Sequence, residues 1–437
     1  MDITSFEYDL LDLSPFAERL ERFLEVEHRF VSGSLVVSLS SSFGSGKTTF
    51  LRMWQSHLLK RDSSDCPMVV YVNAWESDFC GDPLYSIVSA LVEELPRLGC
   101  SHEKIVDAAK KVGRFGLAIA NQIVRMGTGV DPIEAGKIAE CEDNAFSAFQ
   151  IRKEAMKELK TAIRGVVKDF SPRVIFLVDE LDRCRPDYAI SYLETIKHVF
   201  DIRGAVFVLA VDRKQLENSA RVAFGRDLDF EEYFRKFVHR DVSLPEISKK
   251  GYRNLAQQYM RLYLQIEGTR HCCVRLDVDC SRNFVELISS LKMTPRQIQE
   301  VFRIAGHVFS VVEDRRPELL WCFAVGTILM ATFKIGIPVF YRQLASGQLD
   351  RNEAKVLLEK LFSDTDASWW MILLVTGNGI RKEPVESASD LLKRVGLSGG
   401  EGASDRDFSQ WFSGWGHERE NCFRIIFEKI EYVSTWM

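Results

Sequence analysis

The amino-acid sequence predicts an α/β fold in which helices flank a parallel β-sheet, followed by a C-terminal region built of helices alone. The main observation is a set of uninterrupted apolar runs of strand length, among them V-I-F-L-V at residues 174–178 and A-V-F-V-L-A-V at residues 205–211. Such runs are typical of strands buried on both faces of a parallel sheet. Segments of helical periodicity separate these runs. Beyond Pro245 the strand signals fade and helical periodicity dominates.

The composition is that of an ordinary globular protein. The chain has 437 residues, of which 46% are hydrophobic and 27% charged, and its formal net charge is −5. This length allows two or three domains with sizeable cores. Because the charge is close to neutral, a nucleic-acid partner is possible but not indicated. The ten cysteines lie scattered, mostly in apolar patterns, which predicts reduced thiols and a cytoplasmic location.

The first predicted strand leads into a loop of small residues. Apolar residues at 35–39 form the strand, and S-S-F-G-S-G-K-T follows at 41–48 before a segment of helical periodicity. Small side chains allow successive backbone N–H groups to point at one phosphate chain, and the positive end of the following helix adds to the attraction. The predicted nucleotide-binding residues are Gly44, Ser45, Gly46, Lys47, Thr48 and Thr49.

Two side chains of this loop carry specific chemistry. Lys47 supplies a mobile positive charge, and the hydroxyl of Thr48 is expected to bind Mg²⁺. The full pattern of such a loop has glycine where this chain has Ser41. Serine restricts the backbone without blocking its N–H groups, so we interpret Ser41 as a variant. The alternative is a Gly/Ser turn that merely joins a strand to a helix.

The next strand is predicted at residues 68–72, and a helix opens at Asp82-Pro83. Residues 97–145 are less regular and are interpreted as a helical insertion. The third strand then ends in Asp179-Glu180. An acidic pair at the carboxyl end of a central parallel strand lies where open α/β sheets bind ligands. A polar strand-to-helix turn is the alternative.

The acidic pair and the loop are expected to act together. Asp179 would hold Mg²⁺ through water, and Glu180 would polarise an attacking water molecule. We expect Lys47 and this pair to converge on one triphosphate from adjacent strand ends.

The domain organisation follows from these elements. Residues 1–246 are predicted to form the sheet domain, ending in a short strand at 242–244, and residues 247–395 a helical appendage. Residues 396–437 comprise a Gly/Ser linker and an aromatic tail, which we expect to dock on the body rather than to recognise a partner. In the helical region, Thr294-Pro295 marks a helix start.

The motifs and their order resemble the KAP P-loop NTPases. The match lies in F-G-S-G-K-T, N-A-W, V-D-E-L-D-R-C, V-F-V-L-A-V-D-R and T-P-R-Q-I, and it covers roughly residues 10–345. The resemblance implies a P-loop domain of the additional-strand type with a helical appendage, and binding and hydrolysis of ATP with Mg²⁺. By this resemblance Lys47, Asp179 and Glu180 are the catalytic residues, and Thr48 and Asp179 hold the metal.

Four further residues are candidates by the same resemblance. Asp212 follows the fourth strand and is a candidate sensor of the terminal phosphate, weighed against a helix cap. Arg235 and Arg240 lie where related ATPases place residues that reach a neighbouring subunit's nucleotide, and Arg296 is a candidate for contact with the phosphates from the helical region. An ordinary exposed arginine is the alternative for each.

The predicted function is that of an Mg²⁺-dependent ATPase whose nucleotide cycle drives a conformational or assembly switch. The partners would be further copies of the chain, a protein effector, or both, and similarity to phage-exclusion members suggests a defence role. Many members carry transmembrane helices between the loop and the acidic strand; this chain has only a weak apolar patch at 115–124, so no membrane attachment is expected. The alternatives are a nucleotide-gated oligomeric scaffold, a nucleic-acid-stimulated sensor and a kinase.

Overall fold

The structure is a computed structural model. It describes residues 4–61, 67–98, 103–112, 145–170, 174–264, 278–311, 321–362, 364–381, 409–416 and 420–435. Most of the predicted insertion, the linker and the patch at 115–124 lie outside these residues. The chain forms two compact units, one comprising Met1–Asp9 and Leu13–Pro245 and the other Leu10–Asp12 and Glu246–Met437.

The first unit is an α/β layer structure. Its strands are β1 Leu35–Ser40, β2 Met68–Asn73, β3 Val174–Asp179, β4 Ala205–Val211 and β5 Arg240–Ser243. Its helices are α1 Ser14–Glu27, α2 Lys47–Leu59, α3 Pro83–Glu94, α4 at residues 103–112, α5 Ala145–Asp169, α6 Pro186–Val199, α7 Arg213–Phe224 and α8 Phe230–Arg235. The predicted α/β class is confirmed, although β5 begins two residues before the predicted strand at 242–244.

All five strands are parallel and follow the order β2-β3-β4-β1-β5. The loop strand β1 therefore does not adjoin the acidic strand β3, because β4 lies between them. The expectation that the two motifs come from adjacent strand ends is wrong. Asn73 of β2 nevertheless pairs with Asp179 of β3, and Ser40 of β1 pairs with Val211 of β4. The carboxyl ends of β1, β2, β3 and β4 therefore lie at one edge of the sheet.

The sheet core explains why these apolar runs are strands. Every residue of β1, β3 and β4 is buried, which suits sheets covered by helices on both faces. Phe176 of β3 stacks on Phe207 of β4 with ring centroids 4.4 Å apart. The carboxylate of Asp82 caps α3 by accepting from the backbone N–H of Leu84, as the Asp-Pro start predicts.

In the described residues the second unit is built of helices, with an isolated parallel β-bridge between Leu349 and Ile380. The helices are α9 Lys249–Leu264, α10 Val278–Ser290, α11 Pro295–Val311, α12 Trp321–Gly336, α13 Pro338–Ser346, α14 Arg351–Leu361, α15 Asp364–Thr376, α16 Ser409–Trp415 and α17 Cys422–Ser434. Thr294 and Gln297 form a capping box at the start of α11, since the side-chain oxygen of each accepts from the backbone N–H of the other. Within the described residues, no helix is long and apolar enough to cross a membrane.

The aromatic tail packs inside this second unit. Helix α12 is buried along nearly its whole length, and α17 covers it with Phe423, Ile426 and Ile430. Glu431 of α17 accepts hydrogen bonds from Lys334 and from Tyr341. Docking is therefore the correct one of the two alternatives for the tail.

Candidate functional site

The loop after β1 has the backbone of a phosphate cradle. Gly44 and Gly46 lie at φ 78° and 102°, in the left-handed region that side chains with a Cβ rarely adopt. Ser41 does not lie in this region, so a serine there needs no strained backbone. The hydroxyl of Ser45 is buried and has no hydrogen-bond partner in the described part of the chain. A buried unpaired hydroxyl in such a loop suits a ligand with acceptor oxygens.

Lys47 begins α2 and is only 9% exposed. Its ammonium group donates to the backbone carbonyl oxygens of Ser41 at 2.6 Å and Ser42 at 3.3 Å. Burial lowers the pKa of Lys47, because the neutral form is favoured away from water. Three carboxylates oppose this effect and raise the pKa of the lysine, and in order of strength they belong to Asp182, Asp212 and Asp179. The lysine therefore lies within electrostatic range of Asp179 at the end of β3 and of Asp182 in the turn that follows.

Asp179 ends β3 and is 1% exposed. Its Oδ1 accepts from the backbone N–H of Glu180 at 2.9 Å, and its Oδ2 accepts from the hydroxyl of Tyr71 at 2.8 Å. Burial, and after it the charge of Asp179, raises the pKa of Tyr71. The guanidinium of Arg52 from α2 lies 3.8 Å from the centroid of the Tyr71 ring. A side chain of β2 therefore holds the carboxylate of Asp179, and the same side chain contacts α2, the helix that follows the loop.

Glu180 has an uncommon backbone conformation. Its φ of 60° and ψ of 22° place it in the left-handed region, where non-glycine residues are rare and functional sites are over-represented. Its Oε1 forms an ion pair with Arg183 at 2.7 Å. Its Oε2 accepts from the side-chain amide of Asn73 at 3.3 Å, and the same amide donates to Glu76 at 3.0 Å. The carboxylate is therefore held on both oxygens.

Asp212 connects the end of β4 to the loop. Its Oδ1 caps α7 by accepting from the backbone N–H of Lys214 at 3.1 Å, so the cap alternative is correct. Its Oδ2 accepts from the backbone N–H of Phe43 in the loop at 3.0 Å. The same carboxylate thus caps a helix and lies at the cradle, and its role as a phosphate sensor stays a prediction.

The three candidate arginines lie on three different elements. Arg235 is exposed at the end of α8, and Arg240 opens β5 opposite Val37 and pairs with Glu27 at 2.7 Å. Arg296 belongs to the first turn of α11 in the second unit. Their predicted roles at the phosphates or at a neighbouring subunit stay predictions.

Comparison with family models identifies the protein family to which this chain belongs. The model of the KAP family P-loop domain matches residues 13–308. The chain belongs to this family. The KAP assignment confirms the resemblance seen in the motifs, and the strand order with β4 between the loop strand and the acidic strand is the additional-strand arrangement that the resemblance implies.

A curated relative of this KAP chain is the phage T7 exclusion protein of Escherichia coli (strain K12). The two are 23% identical over 259 residues, which covers 54% of this chain and 34% of the relative. The chain therefore spans about a third of that protein's length in the match.

Two solved structures are similar to this chain at low sequence identity. The ORC2 protein of Aeropyrum pernix in its ADPNP–ADP complexes is 11% identical, with 98% of this chain and 95% of that chain covered at a TM-score of 0.36. A variant of RuvB from Thermotoga maritima is also 11% identical, with 93% of this chain and 96% of that chain covered at a TM-score of 0.32.

Sequence reasoning missed four residues that surround the acidic pair of this KAP protein: Tyr71, Asn73, Asp182 and Arg183. The last two had a local signal, because Asp182 and Arg183 lie within one turn of Asp179-Glu180 in D-E-L-D-R. The first two had a weaker signal: Tyr71 lies in the predicted second strand, and Asn73 follows that strand and begins the N-A-W motif. Their contacts depend on the pairing of β2 with β3, which sequence alone did not establish.

Proposed function

We propose that this KAP protein binds ATP with Mg²⁺ at the carboxyl edge of its sheet and hydrolyses the terminal phosphate. The observation that carries the proposal is that Lys47 interacts electrostatically with three carboxylates beside the glycine cradle, those of Asp179, Asp182 and Asp212. A buried lysine in a glycine loop at the start of a helix suits the phosphates, and neighbouring carboxylates suit a divalent cation.

The residues present fit Mg²⁺. Thr48 and Asp179 offer only oxygen donors, and Mg²⁺ in such sites uses one or two protein ligands and keeps several waters. When bound, the ion would offset charge on the phosphate oxygens.

The chain's own residues then have distinct tasks. Lys47 leaves the carbonyl oxygens of the loop for the phosphates and offsets charge in the transition state. Glu180 orients a water molecule for in-line attack and accepts its proton. The new bond joins the water oxygen to the terminal phosphorus, while the bond to the ADP oxygen breaks. Water is the favoured acceptor because an acid, Glu180, follows Asp179 directly.

The nucleotide cycle is proposed to switch the conformation or assembly of the protein, through further copies of the chain or a protein effector. Arg235 is the candidate for contact with a neighbouring copy, since it is exposed at the end of α8. A part in defence against phage is supported by the phage T7 exclusion protein among its relatives.

Two substitutions test the proposal. Lys47→Ala is expected to abolish ATP binding measured by titration calorimetry, whereas Lys60→Ala, an exposed lysine just past the other end of α2, keeps it. Glu180→Gln is expected to bind ATP but release phosphate at least about a hundredfold more slowly, as for loss of a general base.

The outcomes separate the proposal from its rivals. A Glu180→Gln protein that hydrolyses ATP at the wild-type rate refutes the role of Glu180. Native mass that changes with ATP in a wild-type protein without phosphate release indicates the scaffold instead.

A further inference from the structure

Arg183 contacts Glu180, the ring of Phe43 in the loop and the ring of Trp75 after β2. It ends the short helical turn Leu181–Arg183 that follows β3. Besides its ion pair with Glu180, its guanidinium lies 5.2 Å from the ring centroid of Phe43 in the loop and 5.8 Å from that of Trp75. Both aromatic rings are about half exposed, so the arginine lies at the rim of the cradle and not in the core.

The guanidinium has unused binding capacity. Arginine offers five N–H donors, and within the described residues its only polar side-chain contact is Glu180. The side chain is 36% exposed, which leaves the remaining donors open to a ligand. The guanidinium lies within cation–π distance of both the Phe43 and the Trp75 ring.

The positive charge of Arg183 also reaches Lys47. It lowers the pKa of that lysine, so the two cations lie within electrostatic range of each other. Two cations held near one another attract an anion placed between them, and a terminal phosphate carries more charge than one carboxylate. Guanidinium groups bind phosphate with two parallel hydrogen bonds, which favours phosphate over a single-point pair with a carboxylate.

We propose that Arg183 exchanges its partner during the nucleotide cycle. Without a triphosphate it holds Glu180; with a triphosphate it binds the terminal phosphate and releases Glu180 to the attacking water. Asn73 keeps its hydrogen bond to the other oxygen of Glu180, so the released carboxylate stays at the site. The inference rests on the proposed ATP site and names the residue that distinguishes ATP from ADP there.

The first test compares affinities. Arg183→Ala is expected to weaken binding of a non-hydrolysable ATP analogue by about ten- to a hundredfold, the value of one lost hydrogen bond to a charged group, and to leave ADP binding unchanged. Arg183→Lys is expected to lose less affinity for the analogue than Arg183→Ala, because lysine keeps the positive charge but lacks the paired N–H donors of the guanidinium. Arg221→Ala is the matched control, since Arg221 is also exposed and pairs with a glutamate of its own segment.

The second test follows Trp75, whose ring lies beside the guanidinium. The chain has 8 tryptophans, so its emission is isolated by subtracting a Trp75→Phe protein. The ATP analogue is expected to shift Trp75 emission and ADP to leave it unchanged, and Arg183→Ala removes the shift.

The outcomes distinguish this inference from the function on which it rests. If the wild type binds no ATP, the proposed function fails. If the wild type binds and hydrolyses ATP, but Arg183→Ala keeps the wild-type ratio of ATP to ADP affinity, only the partner exchange is overturned. Should Arg183→Ala fail to fold, identical Trp75 emission with ADP and the ATP analogue in the wild type overturns it equally.

Discussion

Tyr71→Phe tests whether the hydrogen bond from β2 stabilises the acidic strand end. The substitution removes one oxygen and keeps the ring that lies under Arg52. The lost bond is 2.8 Å long and ends on a carboxylate, that of Asp179, which is 1% exposed. Hydrogen bonds to charged groups contribute about 1.5–3 kcal/mol. Because Tyr71 itself is partly exposed, we expect the lower end, a loss of about 1.5 kcal/mol in the free energy of unfolding.

The assay is urea unfolding followed by circular dichroism, together with thermal unfolding. A loss of this size corresponds to a fall of about 3–6 °C in the melting temperature of a unit of roughly 240 residues. Tyr233→Phe is the control, since the Tyr233 hydroxyl is buried and has no hydrogen-bond partner in the described part of the chain. Its removal is expected to be neutral or slightly stabilising. Equal losses in the two variants would refute the reasoning.

Three further results are expected. Gly326→Ala should lower the free energy of unfolding by about 1–3 kcal/mol through overpacking, because a Cβ there would lie 2.5 Å from the Trp415 ring. Gly165→Ala is the control, since a Cβ at that position meets no atom within 4 Å and the change should be neutral or stabilising. Unfolding in urea compares the two variants. Asp241→Asn should lower stability by about 1–3 kcal/mol, because the carboxylate accepts from two serine hydroxyls of β1 and pairs with an arginine. Burial raises the pKa of Tyr233 to about 12. The neutral phenol is therefore favoured in the folded state, and its contribution is complete below the ordinary tyrosine pKa of about 10 and lost between about 10 and 12. Stability measured from pH 9 to 11.5 should fall more steeply in the wild type than in Tyr233→Phe.

The local parts of the site were predictable from the sequence. The glycines at 44 and 46 and the lysine that follows form a contiguous motif, and the structure puts both glycines in the left-handed backbone that their lack of a Cβ permits. The buried strands were equally clear, because apolar runs of that length have few other stable environments in a globular protein. The cap at Asp82 and the capping box at Thr294 likewise depend on neighbours a few residues away.

The non-local parts were not predictable from the sequence. The expectation of adjacent strand ends was wrong because hydrophobic periodicity identifies a strand but not the strands that pair with it. In the structure β4 lies between β1 and β3. The dual role of Asp212 is a further case. Its cap is a contact two residues away, while its bond to Phe43 spans the chain from the fourth strand to the first loop.

The sequence by itself determined that this chain forms a KAP P-loop domain with a glycine cradle, a lysine and an acidic strand end. It could do so because each of these features is written in a short contiguous stretch whose backbone conformation and burial follow from its own residues. Tertiary structure alone decided which side chains hold Glu180 and Asp179. The side chains that contact these acids or Arg183 come from distant strand and loop segments, among them Tyr71, Asn73 and Phe43. Only the pairing of the sheet brings these segments together, because side-chain contacts between distant segments depend on strand order and register.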